Sequence, residues 1–249
     1  MARVLHGQGA RAGESGNRWF DKSLSFVFTP DGFAGVNLEH SPFDGGPAVH
    51  LINHMIGRER MLPGLFAPGS PAAAPRLLQW VADAQTTATL AQAKAHADAL
   101  AQRCAVRTYD FTEYDAGLVK KYGLSPDAFF QMAIQLAYYR LHGHCSATYE
   151  SASTRMYEHG RTETIRSCSQ ASHALVSAMT DSPLAPPQER VRLLNEAVEA
   201  HKQYTRLATT GYGCDRHLLG LLLTAREHNL DASFFAQPAW AKSTHFRLR

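Results

Sequence analysis

The sequence predicts a mixed α/β protein, and three observations predict it. Two runs of β-formers, "KSLSFVFT" at 22–29 and "FAGVNL" at 33–38, flank the turn "PDG". A segment at 124–143, "LSPDAFFQMAIQLAYYRLHG", carries start and stop signals for one long helix. No internal repeat recurs at a useful period, which excludes a solenoid.

Taken in order, the first two runs read as a hairpin, because Pro, Asp and Gly supply the dihedral angles of a tight turn. The segment 47–57, "PAVHLINHMIG", has apolar residues at helical spacing with Pro47 in its first turn, so His50 and His54 share a face. Pro, Gly and Ala crowd 61–76 and place a domain boundary near residue 75. Beyond it "LLQWV" at 77–81 reads as a strand, and the Ala- and Gln-rich 84–103 as a helix of high intrinsic propensity. In the clearest helix Ser125 is the N-cap, Pro126 the first helical residue, Asp127 an acid in the first turn and Gly143 the terminator. The stretch 146–160 alternates in a partly strand-like way up to Gly160, and two further helices are predicted at 186–207 and 215–228.

Composition narrows the function. With 249 residues, 45% of them hydrophobic and 19% charged, the chain has the composition of an ordinary soluble globular enzyme. A net charge of +3, dispersed along the chain, excludes a nucleic-acid partner, for which basic residues would cluster with aromatics. No apolar run approaches the roughly 20 residues of a transmembrane segment. Cys104, Cys145, Cys168 and Cys214 show no CxxC spacing, so free thiols in a reducing compartment are expected rather than a disulfide framework or a zinc site.

Several constellations have both a chemical and a structural reading. His50 and His54 have metal-ligand spacing, but Leu51 stands where a zincin has its Glu, so surface histidines are the alternative to a metal, and none is expected. Lys120 and Lys121 precede the helix start at Ser125, where ammonium groups and free N–H groups together suit a phosphate; the alternative is a solvated turn. In 149–167, hydroxyls of Tyr149, Ser151, Ser153 and Thr162 alternate with Arg155, Arg161 and Arg166, which suits a small carboxylate ligand; salt bridges to Glu150, Glu158 and Glu163 are the other reading. His40 lies just past a predicted strand end, with Asp44 four residues on.

Five blocks, "GNRWFDKSL" at 16–24, "EHSPFDG" at 39–45, "SPDAFFQMAIQLAYYR" at 125–140, "ATYESASTRMYEHGRTETIRS" at 147–167 and "DRHLLGL" at 215–221, together resemble the choline/carnitine acyltransferase family in order and spacing. The resemblance implies a partial chloramphenicol-acetyltransferase-like two-domain architecture of mixed sheets flanked by helices. Residues 1–75 would be the C-terminal part of the domain that carries the catalytic histidine, and 76–249 the N-terminal part of the CoA- and carnitine-binding domain. It implies His40 as general base for reversible acyl transfer between acyl-CoA and the carnitine hydroxyl, a role suited to an imidazole that titrates near neutrality. Asp44 would support that region.

By the same resemblance Lys120, Ser125, Pro126, Asp127 and Lys202 contact CoA, and Tyr149, Ser151, Thr162 and Arg216 bind carnitine. Thr162 and Arg216 favour carnitine over choline, because a buried arginine needs an anion and choline has none. Acyl-CoA and CoA are substrates, with no resident cofactor implied, and family members are commonly mitochondrial, peroxisomal or cytoplasmic.

Two departures from the family pattern bear on activity. Ala116 stands at an expected basic position upstream of Lys120. The chain also stops at "STHFRLR", about where the family's Ser-Thr-Ser stretch would begin, and "KST" at 242–244 is not that motif. An internal fragment is therefore expected, with activity impaired by truncation: one lost oxyanion donor can cost roughly 10²–10³ in rate. The competing expectations are a non-catalytic remnant that binds CoA or carnitine weakly or not at all, and, third, a choline acetyltransferase.

Overall fold

A computed structural model describes residues 19–29, 31–41, 44–61, 76, 78–181 and 183–248. The chain separates into two compact units, Met1–Asp110 and Phe111–Arg249. The boundary expected near residue 75 lies outside the described residues.

In the first unit, β1 (Leu24–Phe28) and β2 (Ala34–Leu38) pair antiparallel, with Leu24 opposite Leu38 and Phe28 opposite Ala34. Gly32 closes the turn with φ +82°, a conformation that glycine adopts without a steric penalty. Helix α1 (Gly45–Met61) runs beyond both ends of the predicted 47–57 and keeps Pro47 in its first turn, where the missing N–H costs no helical bond. His50 and His54 are exposed on it. Helix α2 (Ala84–Arg103) has the predicted bounds, and Asp83 caps it by accepting a 2.7 Å bond from Thr86 N–H. The expected strand at 77–81 does not form: its described part, Leu78 to Val81, has no regular structure, and Trp80 is 85% exposed. A run of β-formers becomes a strand only where a ladder partner exists, and none among the described strands pairs with it.

The second unit is mainly helical around one small sheet. Helix α3 (Ala116–Lys121) and helix α4 (Pro126–His142) are joined by Gly123 at φ +76°. Ser125 accepts from Ala128 N–H at 3.4 Å at the start of α4, and Gly143 ends it in the left-handed region. Strands β3 (Glu150–Ser153) and β4 (Thr162–Ile165) pair antiparallel, with Ser151 opposite Thr164 and Ser153 opposite Thr162. Helices α5 (Gln170–Ala178), α6 (Pro187–Thr209) and α7 (Asp215–Glu227) follow, then a 3₁₀ turn at Ser233–Ala236 and α8 (Pro238–Ser243).

Ala128 and Met132 of α4 meet Leu175 of α5 and Ala197 and Val198 of α6 in the main core. A second cluster seats Ala152 and Ile165 of the sheet on Ala208 of α6. Antiparallel strands alternate their side chains between two faces. The face of Glu150, Ala152, Glu163 and Ile165 is therefore the core side, and Ser151, Ser153, Thr162 and Thr164 form the other. Beside β3 the chain's last described residues add an edge, with Tyr149 N–H donating to Leu248 O at 2.9 Å.

Candidate functional site

His40 and Asp44 lie in the first unit, in the segment between β2 and α1. The His40 side chain is 72% exposed, and its Nδ1 stands 3.7 Å from Asp44 Oδ1, an ion-pair separation too long for a hydrogen bond. Before it, Glu39 Oε2 accepts from both Ser41 N–H (3.0 Å) and Ser41 Oγ (2.6 Å), which fixes the chain next to the imidazole. A hollow of about 320 Å³ beside His40 is lined by Trp19, Lys22, Ser25 and Asn37.

The other expected site residues lie in the second unit, and the structure sorts them into two groups. Ser125 and Asp127 at the start of α4 and Lys202 on α6 line one groove of about 520 Å³, together with His201, Thr205 and Arg206. Lys202 is paired with Glu199 at 2.7 Å. Pro126 opens α4 between Ser125 and Asp127. Lys120 does not sit in a turn ahead of α4: with Lys121 it forms the last turn of α3, where a cation complements the negative end of the helix dipole.

The second group surrounds the outer face of the sheet. Ser151 Oγ donates to the Tyr149 hydroxyl at 3.0 Å. Arg216, in the first turn of α7, donates through Nε to the Thr162 carbonyl at 2.8 Å and through Nη2 to Thr162 Oγ1 at 3.2 Å. Among the described residues no carboxylate lies within ion-pair distance of this guanidinium, so its charge faces neutral oxygens. A guanidinium beside the Thr162 hydroxyl, on the sheet face that also carries Ser151, can take a small carboxylate through charge-assisted hydrogen bonds.

Two polar networks beneath these groups were not singled out by the sequence. His201 Nε2 meets Glu150 Oε2 at 2.8 Å, and Ser167 Oγ donates to the same oxygen at 3.1 Å. Asp127 joins them, and among the described residues this trio is the only set of three whose ligand atoms, all within 4.8 Å of one another, could hold a metal. His201 and Ser167 both bond Glu150 Oε2, so hydrogen bonding already accounts for the contact between His201 and Glu150. Burial and the nearby Glu150 charge raise the Asp127 pKa. Burial also pushes Glu150 upward, but the His201 interaction and the Ser167 hydrogen bond outweigh it and hold Glu150 below its usual range.

The second network clamps α7 to β4. Arg166 makes a bidentate pair with Asp215 (2.9 and 2.6 Å), donates to Ser243 O (2.7 Å) and stacks 5.3 Å from the Phe246 ring centroid. The local acids expected as its partners are therefore not the ones it uses. Buried Glu163 accepts from Thr164 N–H at 2.6 Å and from Arg216 N–H at 3.1 Å. The sequence signal for both networks was only the density of Arg and Glu in 149–167, because partners some 50 residues away become visible when α6 and α7 close on the sheet. All four cysteines are free, and burial, with the neighbouring Cys168, pushes Cys145 up to about 11.

Comparison with known proteins adds relatives along the whole chain. The family described as choline/carnitine o-acyltransferase matches residues 1–249. The chain is 42% identical over 248 residues to a carnitine O-acetyltransferase of Columba livia and 40% identical over 247 residues to that of Rattus norvegicus, in each case 99% of this chain. It is 41% identical over 230 residues, 90% of this chain, to a choline O-acetyltransferase of Sus scrofa. The matched part spans 39% of the length of the first two and 36% of the third.

Proposed function

The chain belongs to the choline/carnitine O-acyltransferase family, and from that premise we propose that it carries the carnitine-recognition and CoA-contact elements of a carnitine O-acyltransferase, with His40 as its general base. The observation that supports carnitine most is Arg216, whose guanidinium is held on Thr162 by two hydrogen bonds to neutral oxygens. A carboxylate arriving there would replace water on a cation already held in place, which spares most of the entropy of ordering the site. Choline offers no such group and forms no such pair; Arg216 is exposed rather than buried as the sequence suggested, so the preference rests on the pair gained with a carboxylate and not on a desolvated charge.

In this reading the carnitine hydroxyl attacks the thioester carbonyl of acyl-CoA while a His40 nitrogen takes its proton. The C–S bond then breaks, and the CoA sulfur leaves with a proton returned by the same imidazole. Asp44, 3.7 Å away, would favour the imidazolium that forms in between. Ser125, Pro126, Asp127 and Lys202 would contact CoA along the groove at the start of α4, with Lys120 supplying charge for a phosphate. Residues 1–75 would belong to the His-bearing domain and 76–249 to the CoA- and carnitine-binding domain of a chloramphenicol-acetyltransferase-like architecture.

A second reading, a non-catalytic remnant, is favoured by the 72% exposure of the His40 side chain, because a base in water loses the preorganisation that catalysis needs. Thiol release from acetyl-CoA, measured with and without L-carnitine and with His40→Ala as control, separates the two. Carnitine-dependent release abolished in the variant is the expected result. Folded protein that binds carnitine but releases no thiol would establish the remnant.

A further inference from the structure

Resting on the carnitine reading above, we infer that Glu163 is the positioning residue that holds Arg216 in its carboxylate-binding pose. The Glu163 side chain is buried, with the residue 3% exposed, and it lies among backbone groups rather than cations. Its two oxygens are separately engaged, Oε1 by the Thr164 N–H and Oε2 by the Arg216 N–H. One carboxylate thus ties the middle of β4 to the first turn of α7.

Three features make this tie specific. Helix α7 has no side-chain cap at Cys214, so its first N–H groups need an acceptor from elsewhere, and a carboxylate at a helix N-terminus is also favoured by the dipole. Gly213 lies directly against the carboxylate: a Cβ there would overlap Glu163 Cγ and stand 2.6 Å from Cδ. No residue other than glycine leaves room for the pair as it stands. The Arg166–Asp215 pair adds a second clamp at the preceding residue of α7.

The consequence falls on one side chain. Arg216 receives a bond at its backbone N–H from Glu163, while its guanidinium bonds Thr162, the residue before Glu163. Backbone and side chain of Arg216 are therefore referred to two adjacent residues of one strand. If the backbone bond is lost, the Arg166–Asp215 clamp still holds the start of α7, but the backbone of Arg216 itself is no longer fixed to β4, and the guanidinium no longer needs to lie over Thr162 Oγ1. Glu163 itself faces the core side of the sheet and touches no ligand. It acts through Arg216.

Glu163→Gln keeps the shape but replaces one acceptor oxygen with a donor, so one of the two N–H groups loses its partner. The experiment uses the full chain, with the Arg216 Nε–H resonance followed by NMR and with titrations of L-carnitine and choline. In folded Glu163→Gln the Nε–H signal is expected to move to the position of a solvated arginine, and carnitine affinity to fall about tenfold, with choline unaffected. An unchanged Nε–H signal in folded variant protein would overturn the positioning role, as would an equal loss of carnitine and choline binding. If wild-type protein fails to bind carnitine while the Nε–H signal still moves in the variant, the carnitine reading falls and the positioning of Arg216 stands. Gly213→Ala, which crowds the same carboxylate from the other side, should move the same resonance; its failure to do so in folded protein would likewise count against the tie.

Discussion

Asp127 and Glu150 are two carboxyls around one imidazole, and their pKa directions oppose each other. Asp127 is raised, so between the ordinary aspartate value and its folded value the native state holds a proton that the unfolded chain has released. Its contribution is present below the unfolded pKa and is lost as pH rises through the folded one. Glu150 is lowered and works in reverse: its contribution is present above the ordinary glutamate value and is lost as pH falls through the folded one. Asp127→Asn removes the first effect and, because the two carboxyls interact, also changes the surroundings of Glu150. Its urea midpoint should lie above that of wild type at pH 7, and the difference should shrink as pH falls and vanish well below about pH 3.9, where the aspartate is neutral in both states. A midpoint below wild type at pH 7 would mean that the ionised Asp127 stabilises the fold. Little of this was legible in the sequence, where Asp127 reads as a first-turn acid and Glu150 as a salt-bridge acid, because their meeting depends on how α4, β3 and α6 pack.

Helix α4 shows how much a local signal can fix. Ser125, Pro126, Asp127 and Gly143 mark its two ends in the sequence, and the structure uses all four in those places. Helix α2 matches its propensity in the same way. The hairpin β1–β2 was legible because its turn chemistry is local. Strand β4 and helix α5 went unread: four residues of β4 are too few for a period, and α5 is capped by a Ser169–Ser172 box that the usual Glu or Gln would have announced. The run at 77–81 failed in the opposite sense, since β-propensity cannot supply a partner. Ser125→Ala should cost about 1 kcal/mol, the ordinary worth of an N-cap, read as a lower midpoint in chemical denaturation. No measurable loss would show that the 3.4 Å bond to Ala128 contributes little.

At the scale of the whole chain, stability is unevenly distributed. The second unit buries Met132, Leu175, Val176 and Val198 almost completely. In the first unit Ala48 and Ala101 are the buried hydrophobics among the described residues, while Trp19, Phe28 and Phe33 of the hairpin region are more than half exposed. A two-stranded sheet without a packed face is marginal in water. Amide hydrogen exchange should therefore be much faster in β1 and β2 than in α4, α5 and α6 of the second unit. Equal protection in the two units would mean that the hairpin is covered by something other than its described neighbours. The relatives differ in length by more than a factor of two from this chain, so its exchange pattern is a property to be measured on the 249 residues themselves.

The pairing of β3 with β4 has a consequence for how this sequence can change over time. Ser151 and Thr162 look outward, Ala152 and Glu163 look inward, and the alternation is strict along both strands. Replacing Ser151, Ser153 or Thr162 edits the outer face and leaves the interior as it was, whereas Thr164 on the same face is itself buried. Inserting or deleting one residue within either strand does something else: it turns hydroxyls into the interior and carboxylates and methyl groups out of it, along the whole remaining strand. Variation in this hairpin is thus confined to substitution, and length changes have room only in the connection at 154–161. Even there Gly160 is fixed, because a Cβ at that position would overlap the Thr154 carbonyl oxygen.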